Sequence, residues 1–221
     1  MRISHRYRFV FLSNPRTASR SIRRLLDEYS DIESVDQTRT SAEAPFYHHM
    51  PASQTKKVFD EKGWDWASYH RFCIVRNPFT RTVSLYHHYL NKRKHIGRGL
   101  APFARLKAIV KYKIMPCMSF SDYILRPGKI REIALPLEEF VLDEKGKSLV
   151  EDILKYEELT ERLSVYLQDI GIDIDPQQIP ALGSSGIQSY AQYYDEETQR
   201  FVEHLYQYEI DRFGYKFEDL N

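Results

Sequence analysis

The chain has 221 residues, 42% of them hydrophobic and 29% charged, with a formal net charge of only +1. Those totals fit one soluble globular domain with a substantial core and exclude a disordered chain. They also leave no global field aimed at nucleic acid, so any basic site must be local. Two cysteines, Cys73 and Cys117, cannot build a disulfide framework, and Cys73 lies in an apolar run where it reads as a buried small hydrophobe. No apolar run approaches the ~18 residues of a membrane span. The N-terminal stretch lacks the pattern of a secretory signal. A cytoplasmic, single-domain protein spanning residues 1–221 is expected.

In chain order, Phe9 to Leu12 is a short, wholly apolar strand candidate closed by a turn signal. Thr17 to Tyr29 reads as a helix with Ile22, Leu25, Leu26 and Tyr29 on one face. "RFCIVRN" repeats the theme, with Phe72 to Val75 as a second buried strand and Pro78 fit for the first turn of the next helix. Val83, Tyr86, Tyr89 and Leu90 give that helix an apolar stripe. Asn91 to Lys113 carries eight lysines and arginines and no acidic residue, and reads as a basic insertion. Lys147 to Ile170 reads as helical, in one or two pieces, and Gly171 to Gly186 as a loop punctuated by proline and glycine. Asp195 to Arg212 reads as an amphipathic helix, with Phe201, Val202, Leu205 and Ile210 inward and Gly214 closing it. Buried strands alternating with helices predict an α/β fold, a mostly parallel central sheet covered on both faces.

Two strand–loop–helix junctions then carry the chemistry. At the first, "NPRTASRS" places Arg16, Thr17, Ser19, Arg20 and Ser21 where backbone amides of a helix start point outward, a ready site for an anion. The competing reading is a capped helix with arginines turned to solvent. The stretch has no glycine or lysine, so it is not a Walker A loop. The second strand ends in Arg76, not in the acidic residue that would hold magnesium in a phosphotransferase. Ser84 follows Arg76 by about two helical turns. Two cationic strand ends suggest a nucleotide with phosphates at two positions.

Those residues resemble the two signatures of sulfotransferases that use 3′-phosphoadenosine 5′-phosphosulfate (PAPS). "NPRTASRSI" is similar to the 5′-phosphosulfate loop, commonly P-K-T-A-(G/S)-T-S. "FCIVRNPFTRTVSLY" is similar to the 3′-phosphate segment, commonly F-x-x-V-R-(N/D)-P-x-x-R-x-x-S-x-Y. "SLVEDILKYEELTERL" resembles a later segment of the carbohydrate-type members, with its D-x-I-x-x-(F/Y)-E-x-L core. "YAQYYDEETQRFVEHLYQYEIDRFGYKFED" resembles their closing helix and terminal F-G-Y. The four segments follow family order and span most of the chain.

The resemblance implies a P-loop-like three-layer fold and PAPS as sulfuryl donor, with 3′,5′-bisphosphoadenosine (PAP) as product and no metal. It implies that Arg16, in place of the loop lysine, stabilises the leaving phosphate, while Thr17, Ala18, Ser19, Arg20 and Ser21 wrap the phosphosulfate. It gives Arg76 and Ser84 to the 3′-phosphate. It places the base in "FYHHMPASQ", at His48 or His49, with His49 favoured because family members often carry a histidine before small residues there. Arg20 stands where the family has a small threonine, and Gly183 in "LGSS" where it has asparagine. The acceptor implied is a hydroxyl of a carbohydrate, and the basic insertion suits an anionic one. The sixteen tyrosines offer stacking platforms, though most suit a core. His87 and His88 read as structural or edge residues, and neither histidine pair has metal-ligand company. Three other readings stay open: a non-catalytic nucleotide-binding relative, a P-loop phosphotransferase, and a nucleic-acid-binding module using Asn91 to Lys113.

Overall fold

A computed structural model describes residues 1–94, 106, 117–126, 128, 130, 131, 134–175 and 190–217. Five short strands among them form one sheet: β1 (Arg2–Ser4), β2 (Phe9–Leu12), β3 (Ile32–Glu33), β4 (His70–Val75) and β5 (Asp152–Lys155), in the order β3-β1-β2-β4-β5. β2, β4 and β5 run parallel, with Leu12 opposite Cys73 and Val75 opposite Lys155. β1 is antiparallel to both its neighbours, because a tight turn folds it straight back on β2. The sheet is therefore a parallel half carrying an antiparallel edge.

The apolar run of β2 serves two cores at once. Side chains alternate across a strand, so Val10 and Leu12 join Cys73 and Val75 against Phe46, Phe59 and Phe140. Phe9 and Phe11 join Phe72 and Ile74 on the other face, against Ile22, Leu159, Leu163 and Leu167. That double burial makes the strand continuously apolar and gives the three-layer sandwich expected. A third cluster lies along α3 (Pro78–Lys94), where Phe79, Val83 and Tyr86 pack on Tyr190, Val202 and Tyr206.

The remaining helices frame this sheet. α1 (Ser19–Leu25) follows β2, and α2 (Ala52–Glu61) precedes β4. α4 (Phe120–Ile124), α5 (Leu137–Val141), α6 (Leu159–Asp169), α7 (Glu196–Leu205) and α8 (Gln207–Phe213) complete the described set. Three helical expectations change in detail. The first helix ends at Leu25, and Asp27–Tyr29 continues as a single 3₁₀ turn. In the stretch from Lys147, Asp152–Lys155 is the strand β5, because pairing with β4 outweighs a weak local preference. The closing helix is two helices, broken at Tyr206 (φ −116°), whose buried hydroxyl donates to the carbonyl of Ala134 at 2.9 Å. Gly214 does close α8, with φ 68°. The basic insertion beyond Lys94, apart from Leu106, and the loop containing Gly183 lie outside the described residues.

Candidate active site

Because β2 and β4 are adjacent and parallel, both junctions open at the carboxyl ends of the strands, where open α/β folds bind ligands. At the first, the chain turns without glycine. Arg16 (φ 64°) and Ala18 (φ 60°) both sit in the left-handed region, which costs an ordinary residue about 1–2 kcal/mol. Asn14 pays part of that cost. Its carbonyl accepts the Thr17 hydroxyl at 2.9 Å and the Ser19 hydroxyl, and its Nδ2 donates to the Ile74 carbonyl at 3.3 Å. Those two hydroxyls shape the loop rather than stand open for an anion. α1 is seven residues long and has no side-chain N-cap, so the arginines carry most of the positive charge here.

The second junction is built the ordinary way. Asn77 precedes α3, and its Oδ1 accepts the Phe79 amide at 3.0 Å while Pro78 occupies the first helical position. Glu157, just past β5, accepts the Asn77 amide at 2.8 Å and the Tyr215 hydroxyl at 3.0 Å. Asn77 Nδ2 donates to the Lys216 carbonyl at 3.1 Å. Arg76 lies over the Tyr156 ring, 4.4 Å from its centroid, and its Nε donates to Thr80 Oγ1 at 3.1 Å. Pieces of the third and fourth sequence segments, Tyr156, Glu157 and Tyr215, thus converge on the second.

The junctions also touch each other. Arg16 donates to Ser84 Oγ through Nε at 3.1 Å and Nη2 at 2.9 Å, and Arg76 Nη1 reaches the Arg16 carbonyl at 3.4 Å. The guanidinium expected at the 5′ end and the serine expected at the 3′ end are therefore in direct contact. Burial, then the charge of Arg76, lowers the Arg16 pKa; burial likewise lowers that of Arg76. A half-buried Arg16 and a buried Arg76 held this close favour an anion between them. Arg20 is exposed at the rim, and Ser21 is half-buried behind it.

The two candidate bases differ in their hydrogen bonds. His49 (φ 65°) has its Nδ1 2.6 Å from the Ser13 carbonyl. A carbonyl only accepts, so Nδ1 carries the proton and Nε2 keeps the lone pair. His48 Nδ1 instead meets Arg23 Nη1 at 2.6 Å and Ser34 Oγ at 2.7 Å. A guanidinium only donates, so the lone pair of His48 is already taken and its other nitrogen carries the proton. Burial is the main cause that brings both histidines down to about 4. Both are neutral at pH 7.

A profile of the sulfotransferase family matches residues 1–216. The chain belongs to the sulfotransferase family. No curated protein sequence matches it. Among solved structures, mouse sulfotransferase SULT7A1 complexed with PAP is similar, at 15% identity over 94% of this chain and 85% of that chain, with a TM-score of 0.42. Among this sulfotransferase's described residues, no helix is long and apolar enough to cross a membrane, and no three His, Cys, Asp or Glu side chains gather as a metal site.

Sequence reasoning passed over four residues of the sulfotransferase that the fold brings to the junctions. Tyr156 and Glu157 were visible only as part of a segment resemblance, with no role attached. Arg81 was a letter in the R-x-x-S spacing. His88, read in the sequence only as structural or edge, is half-buried and stands four residues after Ser84 on α3, hence on the same helix face. Burial, then the charges of Arg16, Lys92 and Arg20, brings it down to about 4. His87 fits the structural reading, since its Nε2 is 2.9 Å from the Tyr193 hydroxyl.

Proposed function

We propose that the protein transfers a sulfuryl group from PAPS to a hydroxyl of a carbohydrate acceptor. The observation that carries this reading is the linked pair of arginine junctions, Arg16 on Ser84 and Arg76 on the Arg16 carbonyl, at the carboxyl ends of adjacent parallel strands. In this reading Arg16, with the backbone from Thr17 to Ser21, holds the 5′-phosphosulfate. Arg76 and Ser84 hold the 3′-phosphate, and the Tyr156 ring backs Arg76. Donor binding loosens the Arg16–Ser84 contact, since each side chain gains a phosphate oxygen.

His49 Nε2 then takes the acceptor's proton as the new oxygen–sulfur bond forms and the sulfur–phosphate oxygen bond breaks. Arg16 stabilises the charge that grows on the leaving phosphate. His48 orders the rim by its contact with Arg23. The exposed Arg20 and the half-buried Arg23 suit an acceptor carrying negative groups. The basic Asn91 to Lys113 stretch suits the same acceptor. A reducing cytoplasm suits the free thiols of Cys73 and Cys117.

Calorimetric titration with PAP, beside ATP with magnesium, tests the reading. Wild type should bind PAP at micromolar concentration, indifferent to magnesium. Arg16→Ala and Arg76→Ala should each weaken binding about 10–100-fold, the worth of a charge-assisted hydrogen bond or two. Magnesium-dependent ATP binding in place of PAP binding would overturn it.

A further inference from the structure

A loop with two left-handed, non-glycine residues keeps its shape only when its surroundings over-determine it. Arg81 is the strongest such constraint. It is 1% exposed and starts one turn into α3, where its amide bonds the Asn77 carbonyl. Its guanidinium turns back under the first junction. Nε donates to the Pro15 carbonyl at 3.1 Å, and Nη2 donates to Asn14 Oδ1 at 2.7 Å and to the Leu135 carbonyl at 3.3 Å. Nη1 faces Glu209 Oε1 at 3.7 Å.

Glu209 comes from α8, far along the chain, and is fully buried. Its Oε1 also accepts the Leu137 amide at 2.7 Å, and its Oε2 has no hydrogen-bond partner among the described residues. A buried guanidinium is costly unless its donors are satisfied. Here two of the acceptors belong to the loop, so the pair is stable only while the loop holds this shape. Three elements that meet nowhere in sequence, α3, α5 and α8, thereby fix one turn.

We infer that Arg81, anchored by Glu209, is a positioning residue that sets the loop backbone for the 5′-phosphate end of the donor and leaves the 3′-phosphate end to Arg76 and Ser84. The inference rests on the donor reading above. Lysine at position 81 keeps the charge toward Glu209 but presents one point donor, not a fork that spans Asn14 and Pro15.

The test titrates adenosine 3′,5′-bisphosphate and adenosine 3′-monophosphate against wild type, Arg81→Lys and Glu209→Gln, with urea melts to follow folding. Wild type should bind the bisphosphate more tightly. Arg81→Lys should weaken the bisphosphate about 10-fold or more, the loss of one or two charge-assisted bonds' worth of order, and leave the monophosphate within about 2-fold. Glu209→Gln should show the same selective loss, about 3-fold, and it carries the test if Arg81→Lys does not fold. Equal weakening of both ligands, or none, overturns the inference while the donor reading stands. A wild type that does not favour the bisphosphate overturns both, and that result is read without any variant.

Discussion

The two junctions share a topology, buried parallel strand into loop into helix, yet they are held in different ways. The second has its own cap, Asn77 on the helix that Pro78 starts, and Glu157 and the Lys216 carbonyl then tie that cap to distant parts of the chain. The first has no capping side chain and two left-handed residues, and it depends on Asn14 and Arg81 for its shape. In the proposed function the difference separates two tasks. A turn that carries its own cap suits the binding of a phosphate that does not change. A turn held from outside places Arg16 and the His49 partner Ser13 on one short segment, where charge and bonds change during transfer.

Replacing the proposed base breaks that comparison most sharply. His49→Ala should lower kcat about 10²–10⁴-fold and leave PAP affinity within a few-fold, because in the proposed function Nε2 acts on the acceptor. His48→Ala should cost much less, since its lone pair is already occupied by Arg23. Steady-state kinetics beside calorimetry decides it. Equal losses in the two variants would mean that the tautomer set by Ser13 does not matter to the chemistry.

The pH profile sharpens the same point. His49 is lowered to about 4, with burial as the main cause. A base with a lowered folded pKa is neutral, and contributes its full stability, above its unfolded value near ~6.5; that contribution is lost as pH falls toward the folded value. kcat/KM for the donor reports the free enzyme, so its acid limb should fall near 4. In the proposed function bound phosphosulfate brings negative charge toward the ring and would raise its pKa, so the limb in kcat should lie at higher pH. Glu209 runs the other way. Burial, against the pull of Arg81, raises it to about 7, so its contribution to stability is complete below its unfolded value and is lost as pH rises through about 7. Acid-limb positions in kcat and kcat/KM, measured with and without His48, follow His49, and urea melts between about pH 5 and 8 follow Glu209.

Much of the frame was legible because each strand writes both its faces into one apolar run. Phe9 to Leu12 reads as buried on two sides, and two cores do cover it. Arg76 at a strand end and Ser84 two turns later were also legible, since both depend on local spacing. β5 was not, because Asp152–Lys155 becomes a strand only by pairing with β4. The roles of the first-loop hydroxyls were not legible either. A sequence shows that Thr17 and Ser19 can donate, but not that the Asn14 carbonyl already takes both. Arg81 and Glu209 stand 128 positions apart by number, and only packing makes them a pair.

The smallest expected effects carry the comparison to its end, because the two junctions should respond to relief and to damage with opposite signs. Ala18 sits at φ 60°, where a Cβ is strained. Ala18→Gly removes that strain and returns some flexibility to the unfolded chain, for a net gain of about 0.5–1 kcal/mol. Asn77 has no strain to relieve. Asn77→Ala orphans the Phe79 amide and the Lys216 carbonyl and should cost about 1–2 kcal/mol. For a chain of this size each kcal/mol moves Tm by about 2–4 °C, so calorimetric melts should show one variant above wild type and the other below. The stabilised Ala18→Gly loop should nevertheless bind PAP more weakly, by about 2–5-fold, because a glycine there has more conformations to lose on binding. A variant both more stable and tighter would show that the left-handed turn is only a strain, and that the first junction needs no pre-set shape to hold its anion.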